Sequence, residues 1–126
     1  MLSAETLVAF AATTDGERAA AFYGTVLGLP IRSNDAFAIV FDANGVELRV
    51  QKVERLTPQP FTAVGWQVAD IVQVLARLAA ANVTPERYTW LDQDATGIWH
   101  APSGARVAWF RDPDGNLLSV AQYPPR

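Results

Sequence analysis

Apolar and polar positions follow two periods along this chain, and the two recur in the same order. Residues 7–12 form a short apolar run, read as a strand. Thr13, Thr14 and Asp15 then supply helix-start chemistry, with Glu17 at capping-box spacing from Thr14. Ala19, Phe22, Tyr23, Val26 and Leu27 recur at i, i+3, i+4, i+7 and i+8, which is one face of a helix. Gly28 stands where a left-handed residue closes such a helix. Residues 36–41 and 46–51 read as two strands of a hairpin around Ala43-Asn44-Gly45. Thr57-Pro58-Gln59-Pro60 breaks the pattern and reads as a linker.

Beyond the linker the order returns. Residues 63–68 read as a strand and Asp70 as an N-cap, with Gln73 three residues on. Ile71, Val74, Leu75, Leu78 and Ala79 make a second apolar stripe, which Asn82 can close. An irregular stretch, 88–96, precedes strands at 97–101, 105–110 and 117–121. The last two flank Asp112-Pro113-Asp114-Gly115-Asn116. There Pro113 presets φ, Gly115 supplies positive φ, and Asp112, Asp114 and Asn116 can bond the local backbone. The segment Phe41-Asp42-Ala43-Asn44-Gly45-Val46 is a weaker copy of that turn. Two readings stand: one unit used twice, or a single α+β domain with two turns alike by coincidence.

Composition narrows the picture. A chain of 126 residues, half of them hydrophobic, makes one domain or two small units sharing a core. The net charge of −3, with no basic block, argues against nucleic acid as a partner. No apolar run approaches membrane-spanning length, so no membrane partner is expected. Glu5 and the lack of a basic start argue against a signal peptide. Cysteine is absent, which removes disulfides, thiolate nucleophiles and Cys-based zinc sites. A cytoplasmic location is the expectation.

The order of elements, with Asp15…Arg18-Ala19-Ala20-Ala21-Phe22-Tyr23…Leu27-Gly28-Leu29 and Phe110…Asp112-Pro113-Asp114-Gly115-Asn116, resembles the vicinal oxygen chelate superfamily. That group includes glyoxalase I, fosfomycin and bleomycin resistance proteins and extradiol dioxygenases. The resemblance covers nearly the whole chain. It implies an α+β fold of two βαβββ modules, about 1–56 and 61–126, within one domain. Their strands would form a curved, cup-shaped mixed sheet with helices on the convex side, completed by a homodimer. It also implies four inward-pointing metal-ligand positions, usually His or Gln, Glu, His and Glu. Carried onto this chain they fall at Val8, Arg49, Ala63 and Ser119. None is a good ligand, and a guanidinium repels a cation. A one-rung shift brings in Glu47, a single carboxylate. No metal site and no cofactor are expected.

Strand alternation assigns the faces. Val46, Leu48 and Val50 should lie beneath the first helix, with Glu47, Arg49 and Gln51 opposite. Val64, Trp66 and Val68, like Leu118 and Val120, should lie beneath the second helix. Val8, Phe10, Ala12, Ala63, Gly65, Gln67, Leu117, Ser119 and Ala121 should then face the cup. The plain alternative is a solvated sheet face on which Glu47 and Arg49 neutralise one another. Four tryptophans invite stacking on a flat ligand, as in bleomycin-resistance relatives, or core and dimer packing. Residues 105–110 do not alternate cleanly, so pattern assigns no face to Trp99 or Trp109. The only histidine, His100, reads as a partly exposed strand residue or as a contributor to a site.

These positions lead to a metal-independent binding protein for a small organic molecule, aromatic or anionic. Its expected ligand-binding residues are Phe10, Glu47, Arg49, Gln51, Gln67, Trp90, Trp99, His100 and Ser119. The alternative is a metal-independent isomerase, lyase or cyclase with Glu47 as general base and Arg49 or His100 stabilising negative charge.

Overall fold

A parallel strand pair needs a crossover, and the first helix supplies one. Strand β1 (Val8–Thr13) leads into helix α1 (Gly16–Ala19), which continues as a π-helical segment, Ala20–Val26. The chain returns through β2 (Ile31–Asn34), β3 (Ala38–Ala43) and β4 (Val46–Lys52). The sheet order is β1-β4-β3-β2, with β1 parallel to β4 and the remaining pairs antiparallel. The second run repeats this: β5 (Val64–Gln67), α2 (Ile71–Ala80), β6 (Trp99–His100), β7 (Arg106–Arg111) and β8 (Leu117–Gln122), ordered β5-β8-β7-β6. Here β5 is parallel to β8. This computed structural model describes residues 1–125, and both βαβββ units of the α+β fold are present in it.

By contacts the chain divides at the proline-rich linker. The first unit is Met1–Pro58 together with Pro113–Asn116; the second is Gln59–Asp112 and the strand beginning at Leu117. The turn of the β7–β8 hairpin thus belongs to the first unit, and its side chains show why. Asp114 Oδ2 accepts from the Thr13 hydroxyl at 2.6 Å. Its Oδ1 accepts from the Thr14 N–H at 2.9 Å and the Thr14 hydroxyl at 3.0 Å. Arg18 Nη2 completes the set at 2.8 Å. Asn116 Nδ2 donates to Ala12 O at 2.8 Å. The side chains of Asp114 and Asn116, expected to bond the local backbone, reach the β1–α1 junction, about a hundred positions away in sequence.

In the first unit the core lies between the helical segment and one face of the sheet. Ala19, Phe22, Tyr23, Ile39, Phe41, Leu48 and Val50 are buried. The Tyr23 ring meets Phe22 edge-on at 5.3 Å and Phe41 at 5.7 Å between centroids. Val26, expected in the buried stripe, is exposed. The segment takes a π step here, Leu27 N–H bonding to Phe22 O five residues back, and the wider turn breaks the 3.6-residue period on which the stripe was read. The cap is also Asp15, which accepts from Arg18 N–H, so Thr14 and Glu17 form no capping box. Strand β2, not expected from pattern, is a short edge strand exposed along its whole length.

In the second unit Ile71, Leu75 and Leu78 of α2 are buried, as are Ala108, Phe110, Leu118 and Val120 of the sheet. Asp70 caps α2 by accepting from Gln73 N–H, and Asn82 adopts the left-handed φ of 63° beyond it. The expected strand over 97–101 shortens to Trp99–His100, because Gly97 sits at φ 93° in a turn closed onto Asp94.

Candidate functional site

Each sheet has one face beneath a helical segment and one face free of it. In the first unit Leu48 and Val50 are buried, and the alternate residues of β4 point the other way. Register sets three rows across that second face. Val8, Glu47 and Asp42 make one, Phe10, Arg49 and Val40 the next, and Ala12, Gln51 and Ala38 the third. The expected residues Phe10, Glu47, Arg49 and Gln51 therefore share a face. Phe10 is half exposed. Arg49 Nη1 lies 3.6 Å from Glu47 Oε2, and each side chain is about one-third exposed. That distance is an ion pair, longer than a hydrogen bond. Asp35 also feels Arg49: its carboxyl is held below the usual range, first by the Phe37 and Ala38 N–H groups and in part by the Arg49 and Lys52 charges.

In the second unit the rows are Trp109, Ser119 and Gly65, then Val107, Ala121 and Gln67, with Trp99 opposite Val107. This settles what pattern could not. Trp99 and Trp109 share the face of Ser119 and Gln67, while Ala108 and Phe110 are buried on the other. Four consecutive apolar residues, Val107 to Phe110, had hidden the alternation. Small residues form the middle of this face. The Ser119 hydroxyl lies only 2.6 Å from where a β-carbon on Gly65 would stand, so the two strands leave a low floor beside the indoles.

The indoles form part of a chain of rings. Trp99 and Trp109 are 6.2 Å apart between centroids, Tyr88 meets Trp109 edge-on at 5.8 Å, and Trp90 lies 5.3 Å from Tyr88. Beside them Pro60, Phe61, Thr62, Tyr88, Trp90, Trp109 and Leu117 line a pocket of about 260 Å³. Burial pushes the Tyr88 hydroxyl up, Arg111 opposes that, and Glu86 adds to it. Of the residues lining this pocket, the sequence placed Trp90 among the ligand-binding residues and Leu117 on the cup face. Tyr88 and Trp109 carried an aromatic signal without a face, Pro60 closed the linker, and Phe61 was assigned to no element.

His100 is placed apart from this face. It pairs with Arg106 across β6 and β7, out of phase with Trp99. Its Nε2 lies 3.1 Å from Asp94 Oδ2. Asp94 also accepts from the Thr96 hydroxyl at 2.6 Å and from the Thr96 and Ile98 N–H groups. The Thr96 bond leads in holding the Asp94 carboxyl well below the usual range. The pair closes a surface loop. Among the described residues no group of three or more His, Asp or Glu is placed to hold a metal ion. No described helix is long and apolar enough to cross a membrane.

The comparisons agree with this architecture. The model of the glyoxalase/bleomycin resistance protein/dioxygenase superfamily matches residues 7–120. A bleomycin resistance determinant encoded on the transposon Tn5 is similar in structure, with a TM-score of 0.75 at 20% identity, covering 96% of this chain and 99% of that one. A fosfomycin resistance protein from Listeria monocytogenes aligns with a TM-score of 0.74 at 13% identity, covering 96% and 94%. A superfamily member from Alicyclobacillus acidocaldarius gives 0.73 at 18% identity, covering 97% and 93%. No functionally curated protein matches.

Proposed function

The chain belongs to the glyoxalase/bleomycin resistance protein/dioxygenase superfamily, and from that premise we propose that it binds a small organic molecule without a metal. The donor set at the superfamily's ligand positions carries this reading. In the first unit Val8 offers hydrocarbon and Arg49 a permanent positive charge. In the second, Ala63 offers a methyl group and Ser119 a hydroxyl directed against Gly65. A hard divalent cation needs several oxygen or nitrogen donors, and these residues do not supply them. The group does not fit, so the chemistry proposed for this chain uses none.

What remains suits recognition. Arg49 is held by Glu47 at a distance that leaves room for a better partner. A ligand carboxylate or similar anion can take the guanidinium in two parallel hydrogen bonds, the stronger geometry. On the first unit's face Gln51 adds a hydrogen-bonding group and Phe10 apolar surface; the second unit's face, taken by itself, offers Gln67 and Ser119 as hydrogen-bonding groups and Trp99 as apolar surface. A homodimer is the expected assembly, and scattering at high concentration tests it.

Metal analysis of the purified protein should return well under one divalent ion per chain; a tight stoichiometric ion sinks the proposal. Mass spectrometry should find an organic molecule carried through expression. Arg49→Ala should weaken binding of benzoate, a simple anionic aromatic probe, by about tenfold or more. Unchanged affinity removes Arg49 from the site. Glu47 lies on the Arg49 face, so the competing reading is a metal-free isomerase, lyase or cyclase with Glu47 as base. Turnover of a bound compound that vanishes in Glu47→Gln while binding persists would favour it.

A further inference from the structure

On the sheet face of the first unit, charge balance sets a condition that a simple anion does not meet. Glu47 and Arg49 stand two residues apart on β4, with Nη1 to Oε2 at 3.6 Å and both side chains about one-third exposed. A carboxylate that takes the Arg49 guanidinium in two bonds competes with Glu47 for it. Glu47 then meets no cation across the sheet. Its partner on β1 is the hydrocarbon of Val8, and its partner on β3 is a second acid, Asp42. Asp42 is itself occupied: it accepts the Gly45 N–H at 2.6 Å and pairs with Arg32 at 3.2 Å. Lys52 lies out of phase with Arg49 along β4, and its ammonium donates to Asn34 Oδ1 at 2.7 Å and Asp35 O at 2.6 Å. A bare anion on Arg49 thus leaves Glu47 facing Asp42 with the ligand's own charge close by, and like charges directly opposite on a sheet are destabilising.

A ligand that brings its own cation removes that cost. An ammonium on the carbon next to the carboxylate can reach Glu47 while the carboxylate holds Arg49. Each protein charge then exchanges a partner at 3.6 Å for one at hydrogen-bond distance, and the balance of charge on the face is unchanged. The rows indicate what the rest of such a ligand carries. The β1 partner of Arg49 is Phe10 and that of Glu47 is Val8, 50% and 37% exposed. Both charges therefore stand beside exposed hydrocarbon on one neighbouring strand, about 5 Å away. On the other side of Arg49, Val40 is buried and offers no such shelf.

We infer that the face of the first unit recognises an α-amino acid with an apolar side chain, its carboxylate on Arg49, its ammonium on Glu47 and its side chain over Val8 and Phe10. The inference rests on the small-molecule reading above and adds the class of ligand. Titration calorimetry on the whole protein separates the parts with three probes: phenylalanine, phenylpropionate, which lacks the ammonium, and phenethylamine, which lacks the carboxylate. Phenylalanine should bind at least about tenfold more tightly than either. Glu47→Gln keeps the shape of the side chain and removes its charge. It should weaken phenylalanine about tenfold and strengthen phenylpropionate, because Arg49 loses its competitor. Arg49→Gln should weaken phenylalanine and strengthen phenethylamine, for the mirror reason. Opposite signs of this kind cannot come from a fold that is merely damaged. Phenylpropionate binding as tightly as phenylalanine overturns the inference, as does a Glu47→Gln that weakens both alike. An absence of phenylalanine binding at millimolar concentration overturns it too. Should phenylpropionate depend on Arg49 yet match phenylalanine, the amino-acid class fails and the small-molecule reading stands. Should a stoichiometric metal appear while phenylalanine still gains over both half-ligands, the metal-free reading fails alone.

Discussion

Asp114 ties the turn between β7 and β8 to the β1–α1 junction of the first unit. Its side chain is 3% exposed and meets three hydrogen-bond donors from Thr13 and Thr14, besides the Arg18 guanidinium. Burial alone pushes the carboxyl up, but the bonds from Thr13 and Thr14 and the charge of Arg18 together hold it below its ordinary value. Its folded pKa is therefore below its unfolded one. The stabilisation is full above the unfolded value of about 3.9 and is lost as pH falls through the folded value. Asp114→Asn should cost roughly 2 kcal/mol at neutral pH. Urea melts across the acid range check both points: the variant should lose less stability on acidification than the parent. A parallel acid limb in both proteins would remove Asp114 from the account.

At the scale of elements, turn chemistry was the most legible signal. Asn44 at φ 54° and Gly45 at φ 90° form the two-residue turn that joins β3 and β4, and both were readable from the Asn-Gly pair. The same left-handed conformation has different consequences at different glycines. A β-carbon on Gly45 meets nothing within 4 Å, so Gly45→Ala should cost only the conformational penalty of about 1–2 kcal/mol. A β-carbon on Gly97 would stand 2.7 Å from Pro85 Cβ, so Gly97→Ala adds a clash to the same penalty. Denaturant melts should rank Gly97→Ala clearly below Gly45→Ala; equal losses would show that the 97 turn relaxes. The helix caps at Asp15 and Asp70 were legible for a similar reason, since a side-chain acceptor and the donor three residues on are local in sequence. The π-helical segment was not, because an apolar stripe specifies a face and not the hydrogen-bond step that winds it.

For the whole molecule, the division at the linker is not a division into separable halves. The first unit takes in Pro113–Asn116, and a fragment of residues 1–58 would leave Thr13, Thr14 and Arg18 without the Asp114 carboxylate. That fragment should lack a cooperative thermal transition followed by circular dichroism. A sharp transition near that of the full chain would show the turn to be dispensable. The Asp112-Pro113-Asp114-Gly115-Asn116 motif marks a turn by local signals, while the partners that Asp114 and Asn116 reach at the β1–α1 junction lie about a hundred residues away and leave no local trace in the sequence.

Local rules therefore determined the elements, their order, the turns and caps, and the faces of β1, β4, β5 and β8. The residues at the positions that the family resemblance gives as metal ligands, Val8, Arg49, Ala63 and Ser119, are likewise read from the sequence. Only tertiary structure decided which face carries Trp99 and Trp109, that His100 closes a loop with Asp94, and that Tyr88, Phe61 and Pro60 join Trp90 around one pocket. The physical reason is that periodicity records a contrast between buried and wet positions. Where both faces of a strand are apolar, as at Val107 to Phe110, the contrast vanishes, and cross-strand register alone sets which side chains meet.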